Sequence, residues 1–168
     1  SNILQSWLEY SFAPASWSWQ DTQVAIGDMN NDGDPDVVLT PAESPGETYK
    51  ISWFEAPPDP TTGPWIEHIV ENPVEAVYHS LQLADADLDG DLDIYTAEMS
   101  TGANPDEVKL YENRVNVGQL TNWNEFVIST TGSHNMRVAD VDNDGDIDVV
   151  GANFNGNDVE MWENKLIP

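Results

Sequence analysis

The stretch Asp28-Met29-Asn30-Asn31-Asp32-Gly33-Asp34-Pro35-Asp36 returns twice, as Asp85-Ala86-Asp87-Leu88-Asp89-Gly90-Asp91-Leu92-Asp93 and as Asp140-Val141-Asp142-Asn143-Asp144-Gly145-Asp146-Ile147-Asp148. Each copy sets oxygen-bearing side chains at loop positions 1, 3, 5 and 9, with glycine at 6. This spacing suits a hard cation that takes about six to eight oxygens in a flexible shell, which means calcium. Positions 1, 3 and 5 converge as such a loop wraps an ion, and the glycine permits the sharp turn. The residue at position 7 (Asp34, Asp91, Asp146) then offers its backbone carbonyl, and the aspartate at position 9 (Asp36, Asp93, Asp148) closes the shell. Three copies in one phase predict three calcium ions per chain.

An EF-hand would need a bidentate glutamate at position 12 and a helix on either side. Position 12 is Leu39, Thr96 and Gly151, none with a carboxylate. The flanks, such as Gln23-Val-Ala-Ile-Gly27 before the first loop and Val37-Val-Leu-Thr40 after it, are short β-branched runs without helical period. Each loop is therefore expected to join two strands of a hairpin.

The self-similarity reaches beyond the loops. Trp7, Trp65 and Trp123 recur at intervals of 58, and each is followed two residues later by Glu9, Glu67 or Glu125. After each loop comes an aromatic-glutamate pair, Phe54-Glu55, Tyr111-Glu112 and Trp162-Glu163, two of which run on into Asn113 and Asn164. Repeats of this length, with four short strands each, mark a β-propeller blade. The Asp-x-Asx-x-Asp-Gly-x-x-Asp loops resemble the FG-GAP and VCBS repeats of integrin-α-like propellers, and the resemblance covers nearly the whole chain. No complete Phe-Gly…Gly-Ala-Pro signature occurs, so the VCBS form is the closer likeness.

The expected fold is thus all-β: a propeller of four-stranded antiparallel blades, three per chain, in repeats at about 1–58, 59–116 and 117–168. With strands A to D counted from the centre outward, the acidic loop joins A to B, the aromatic-glutamate pair lies on C, and the Trp7, Trp65 or Trp123 segment is D. The chain then opens on a D strand, Ser6–Phe12, and stops after an ABC sheet. A propeller takes about four to eight blades, so three call for a partner. The expected assembly is a homodimeric six-bladed ring, with Ser6–Phe12 of one subunit beside Val159–Lys165 of the other.

The sequence holds five lysines and arginines against 31 aspartates and glutamates, a net charge of −26. Fourteen of those acids lie in the three loops. Nucleic acid and anionic membranes are poor partners for such a surface, so no nucleic acid and no membrane insertion are expected. Open calcium sites of this kind work at the millimolar calcium found outside cells. With no cysteine and no apolar run of membrane-spanning length, a secreted or cell-surface bacterial protein is expected, Ser1-Asn2 reading as a remnant ahead of the mature chain.

The aromatic residues that recur in phase are expected to pack between blades. Residues that break the repeat mark the opposite face, where the D–A and B–C connections meet. These are Trp17, Trp19, Tyr78, His79, His134, Asn135 and Arg137, with Glu43, Tyr49, Glu98, Asn104, Asn153, Asn155 and Asn157 from the B–C loops. Trp17, Trp19, His79, His134 and Arg137 are the candidate ligand site, able to stack on and hydrogen-bond a sugar. The expected function is a calcium-stabilised binding or scaffold module for carbohydrate or a protein. The resemblance also implies an alternative, a polysaccharide lyase or sugar dehydratase; His79 or His134 would be its base and Arg137 its uronate-neutralising group.

Overall fold

Runs such as Val37-Val38 and Ile94-Tyr95-Thr96 are β-branched or aromatic and follow acidic turns, which favours strands over helices. The computed structural model describes residues 7–11, 16–103, 105–153 and 156–166, and among them eleven strands and a single 3₁₀ turn, Val115–Val117. Strands β1 (Thr22–Gly27), β2 (Asp36–Pro41), β3 (Ser44–Glu55) and β4 (Ile66–Ala76) form sheet one. Sheet two holds β5 (Tyr78–Ala84), β6 (Asp93–Glu98), β7 (Val108–Arg114) and β8 (Gln119–Ser129). Sheet three holds β9 (Asn135–Ala139), β10 (Asp148–Asn153) and β11 (Asp158–Trp162). All pairings are antiparallel between neighbours in sequence.

Each acidic loop closes the hairpin between the first two strands of its sheet. The aromatic-glutamate pair falls on β3 and β7 as expected, the third pair has Trp162 as the last residue of β11 with Glu163 just beyond it, and Trp123 lies on β8 while Trp65 immediately precedes β4. The last strand ends sooner than the expected Val159–Lys165. It stops at Trp162 because the Asn164 backbone N–H turns inward to Asp148 Oδ1 (2.9 Å). Of the expected strand Ser6–Phe12, both end residues lie outside the described residues, and Trp7–Ser11 form no strand and are exposed.

The sheets pack face to face as successive blades do. Between sheets one and two lie Val38, Ile51, Trp53, Tyr78, Leu81, Ile94 and Tyr111. Tyr95, Val108, Met136 and Val149 fill the space between sheets two and three. A third cluster, Val37, Leu39 and Phe54, sits on the outer face of sheet one under Trp17 and Trp65. Strands β2 and β6 are buried on both faces, which is why they read as apolar runs rather than alternating ones. The first strands β1, β5 and β9 pack on one another in turn. Among the described residues no helix is long and apolar enough to cross a membrane.

Candidate functional site

The three loops share one geometry, set by their own side chains. Asp28 accepts the N–H groups of Asp32 (3.1 Å) and Gly33 (2.9 Å), and Asp85 those of Asp89 (3.1 Å) and Gly90 (3.0 Å). Asp140 accepts Gly145 N–H (3.2 Å). The residues at position 3 bond the N–H at position 5, and those at 5 bond the N–H at 7. This Asx-turn ladder curls the chain so that its carboxylates point inward. Gly33, Gly90 and Gly145 have φ of 94°, 98° and 105°, a region nearly closed to other residues. Position 4 is also left-handed: Asn31 and Asn143 suit it, whereas Leu88 at φ 62° adopts it at a steric cost.

Ligand atoms of Asp85, Asp87 and Asp89 lie within 4.8 Å of one another, as do those of Asp140, Asp142 and Asp148. Asp91 is buried, and among the described residues its Oδ1 has no hydrogen-bond partner. Asp146 is likewise buried, whereas Asp34 is exposed, so the residues at position 7 differ between loops. Burial, and after it the neighbouring carboxylates, pushes the Asp91 and Asp93 carboxyls up to about 7. Asp36 and Asp87 are raised for the same first reason. An oxygen-only donor set, carboxylates crowded within a few ångströms and an orphaned buried oxygen fit a hard divalent cation, and such a charge would relieve the crowding.

The aspartate at position 9 has a second task. Asp36 takes N–H bonds from Met29 (2.9 Å) and Ala56 (2.8 Å), Asp93 from Ala86 and Asn113 (both 2.7 Å), Asp148 from Val141 (3.0 Å) and Asn164 (2.9 Å). One carboxylate thus ties the start of the loop to the end of the third strand. The Asn113 side chain adds a link between sheets. Its Nδ2 donates to the carbonyl of Met29 in the preceding loop (2.9 Å) and to that of Leu92 (3.0 Å). Asn164 Nδ2 reaches Ala86 in the same way (3.0 Å). These asparagines stand out in the sequence only as part of the aromatic-glutamate-asparagine repeat; their partners lie some eighty residues away.

At the other end of the first strands lies a cavity of about 420 Å³, lined by Gln23, His79, Gln82, His134, Asn135 and Arg137 among others. His79 and His134 stack at 4.0 Å between ring centroids. His79 Nε2 meets Glu43 Oε1 at 2.6 Å, and its Nδ1 bonds the His134 carbonyl at 2.9 Å. The Arg137 guanidinium donates from Nη1 to Asn135 Oδ1 (2.9 Å) and the Met136 carbonyl (2.6 Å), which holds it at the cavity wall.

Three of the five candidate ligand residues therefore meet. Trp17 and Trp19 do not line this cavity. Tyr49 draws them away: Trp19 stacks on it at 5.1 Å and Trp17 meets it edge-on at 5.0 Å. Their indole N–H groups donate to Ala42 O and Thr22 Oγ1. Asn104 and Asn155 lie outside the described residues. The recurring glutamates bond neighbouring strands: Glu67 to Lys50 (2.6 Å), Glu125 to Lys109 (3.0 Å) and Glu55 to His68 (2.8 Å).

Comparison with known proteins agrees with the repetition of the acidic loops. No curated protein matches the chain. The FG-GAP-like repeat matches twice, over residues 28–96 and 85–151, each match running from one acidic loop into or past the next. The chain belongs to the FG-GAP-like repeat family.

Proposed function

We propose that this chain is a calcium-stabilised, extracellular β-propeller module that binds an acidic glycan at the end of the sheets remote from the calcium loops. The carrying observation is the cavity at His79, His134 and Arg137, which gathers one of only five cationic side chains and two of three histidines in a chain of net charge −26. Such a concentration of donors suits a ligand with carboxylates and hydroxyls. Calcium on Asp28, Asn30, Asp32 and Asp36, and on the corresponding residues of the other two loops, is a structural staple in this reading. Each loop ties two strands, and no loop residue lines the cavity.

A uronate-bearing polysaccharide is the first probe. Titration calorimetry is expected to show binding that weakens at least about tenfold in Arg137→Ala and in His79→Ala. Undiminished binding in both would place the ligand elsewhere. The same mixtures distinguish the enzymatic alternative, for which the close His79–Glu43 pair speaks: new ultraviolet absorbance from an unsaturated product would replace binding by lyase chemistry.

A further inference from the structure

The seam between sheets two and three keeps a cavity beside its packed core, at the place where a tryptophan covers the corresponding face of each earlier sheet. Trp123, on the fourth strand of sheet two, packs into the core shared with sheet one. Trp65, leading into the fourth strand of sheet one, packs on Val37, Leu39 and Phe54, the face that sheet one turns away from sheet two. Each tryptophan therefore covers the same face of its own sheet, the one turned away from the sheet that follows. Sheet three has no fourth strand among the described residues, and at the equivalent place lies an apolar cavity of about 260 Å³. Tyr95, Leu110 and Ile128 of sheet two and Val149 and Trp162 of sheet three line it. Trp162 holds the position of Tyr111, and Val149 that of Ile94, and among the described residues no indole covers this wall as Trp123 covers the earlier one.

Trp7 is that indole by sequence: it precedes Trp65 by 58 residues, as Trp65 precedes Trp123, and it is 78% exposed. Glu67 pairs with Phe54, and Glu125 with Tyr111. The same register sets Glu9 opposite Trp162 and Trp7 over the cavity. Trp7 can reach such a cavity only in a second copy, because each fourth strand feeds the first strand of the next sheet. Val77 alone joins β4 to β5, and residues 130–134 join β8 to β9. Segment 7–11 feeds β1, so its place is in the sheet before sheet one, whereas the cavity lies two sheets onward in its own chain. A second copy with its sheet three on the outer face of sheet one brings the two together. That face carries Ile26 at 68% exposure, and the outward face of sheet three carries Val159 at 77%.

We propose that Trp7 of one copy seats in the cavity beside Ile128 and Trp162 of a second, with segment 7–11 running along β11, and that a two-fold axis repeats the junction. The socket continues the existing interface between sheets two and three. It depends on neither calcium nor ligand. The junction carries one unfavourable contact. Glu125 meets Lys109 and Glu67 meets Ser52 Oγ (2.9 Å), but the residue of β11 in that register is Glu160, so Glu9 faces a like charge.

Sedimentation velocity in millimolar calcium tests this. The wild-type protein is expected to reach about twice 18.6 kDa as concentration rises. Trp7→Ala is expected to raise the dimer Kd by about thirtyfold or more, the size reached by truncating a buried interface tryptophan. Ile128→Trp, which fills the socket from within, should also give monomer. Mixing these two variants should restore dimer, because one junction then has both an anchor and an open socket. Glu160→Lys should lower the Kd. A wild-type monomer at every concentration overturns the proposal, as does undiminished association of Trp7→Ala. If Trp7→Ala or Ile128→Trp fails to fold, Glu160→Lys decides, an unchanged or raised Kd counting against the socket. A calcium or glycan result leaves each of these outcomes untouched.

Discussion

At the scale of single residues, the acidic loops combine two demands that pull against each other. Asp91 and Asp93 are buried beside other carboxylates, and both are pushed up to about 7. An aspartate in an unfolded chain titrates near about 3.9. The metal-free folded protein therefore holds protons that the unfolded chain has already lost. The stability these two groups contribute is fully present below about pH 4 and is lost as pH rises through about 7. In the proposed reading calcium takes the deprotonated form, and its binding would reverse the trend. Melting temperatures with and without calcium are expected to differ more near about pH 8 than near about pH 5. A larger calcium increment at the lower pH would contradict this assignment. The loops were legible in the sequence because their chemistry is local, each donor lying within a few residues of its acceptor. The left-handed conformation of Leu88 was not, since leucine gives no sign of it.

At the scale of elements, the sheets are joined by hydrogen bonds as well as by apolar faces. Asn113 spans the step from one loop to the next sheet, holding the Met29 and Leu92 carbonyls. Asn113→Ala leaves two carbonyls without their donor and is expected to destabilise the fold by about 2 kcal/mol or more in chemical denaturation. Asn124→Ala removes only an exposed bond to Glu112 Oε2 and should stay within about 0.5 kcal/mol. Equal effects would mean that Asn113 merely fills space. Strand order and hairpin position followed from the sequence because loop, aromatic pair and tryptophan recur in fixed order. Trp17 and Trp19 followed less well. Their partner Tyr49 lies thirty or more residues on, beyond the reach of a local pattern, and it pulls both rings off the cavity. The position-9 aspartates hid their second role for the same reason, their acceptor oxygens being matched to N–H groups at Ala56, Asn113 and Asn164.

At the scale of the whole molecule, the acid content and the fold belong together. Fourteen of 31 acidic side chains sit in three hairpin loops that each fasten the first two strands of a sheet. Without a cation these carboxylates repel one another at the point where the sheet is tied. With three calcium ions bound, the net charge falls to about −20, and stability becomes linked to free calcium by mass action. The cavity at His79, His134 and Arg137 then sits on a frame held rigid from the opposite end. Calcium titration of chelator-stripped protein by calorimetry tests this claim most directly. The expected result is three calcium ions per chain, one lost in each of Asp28→Ala, Asp85→Ala and Asp140→Ala and none in Glu55→Ala, with the melting temperature rising as the sites fill. No heat of binding at millimolar calcium, and the same melting temperature with and without it, would contradict the account.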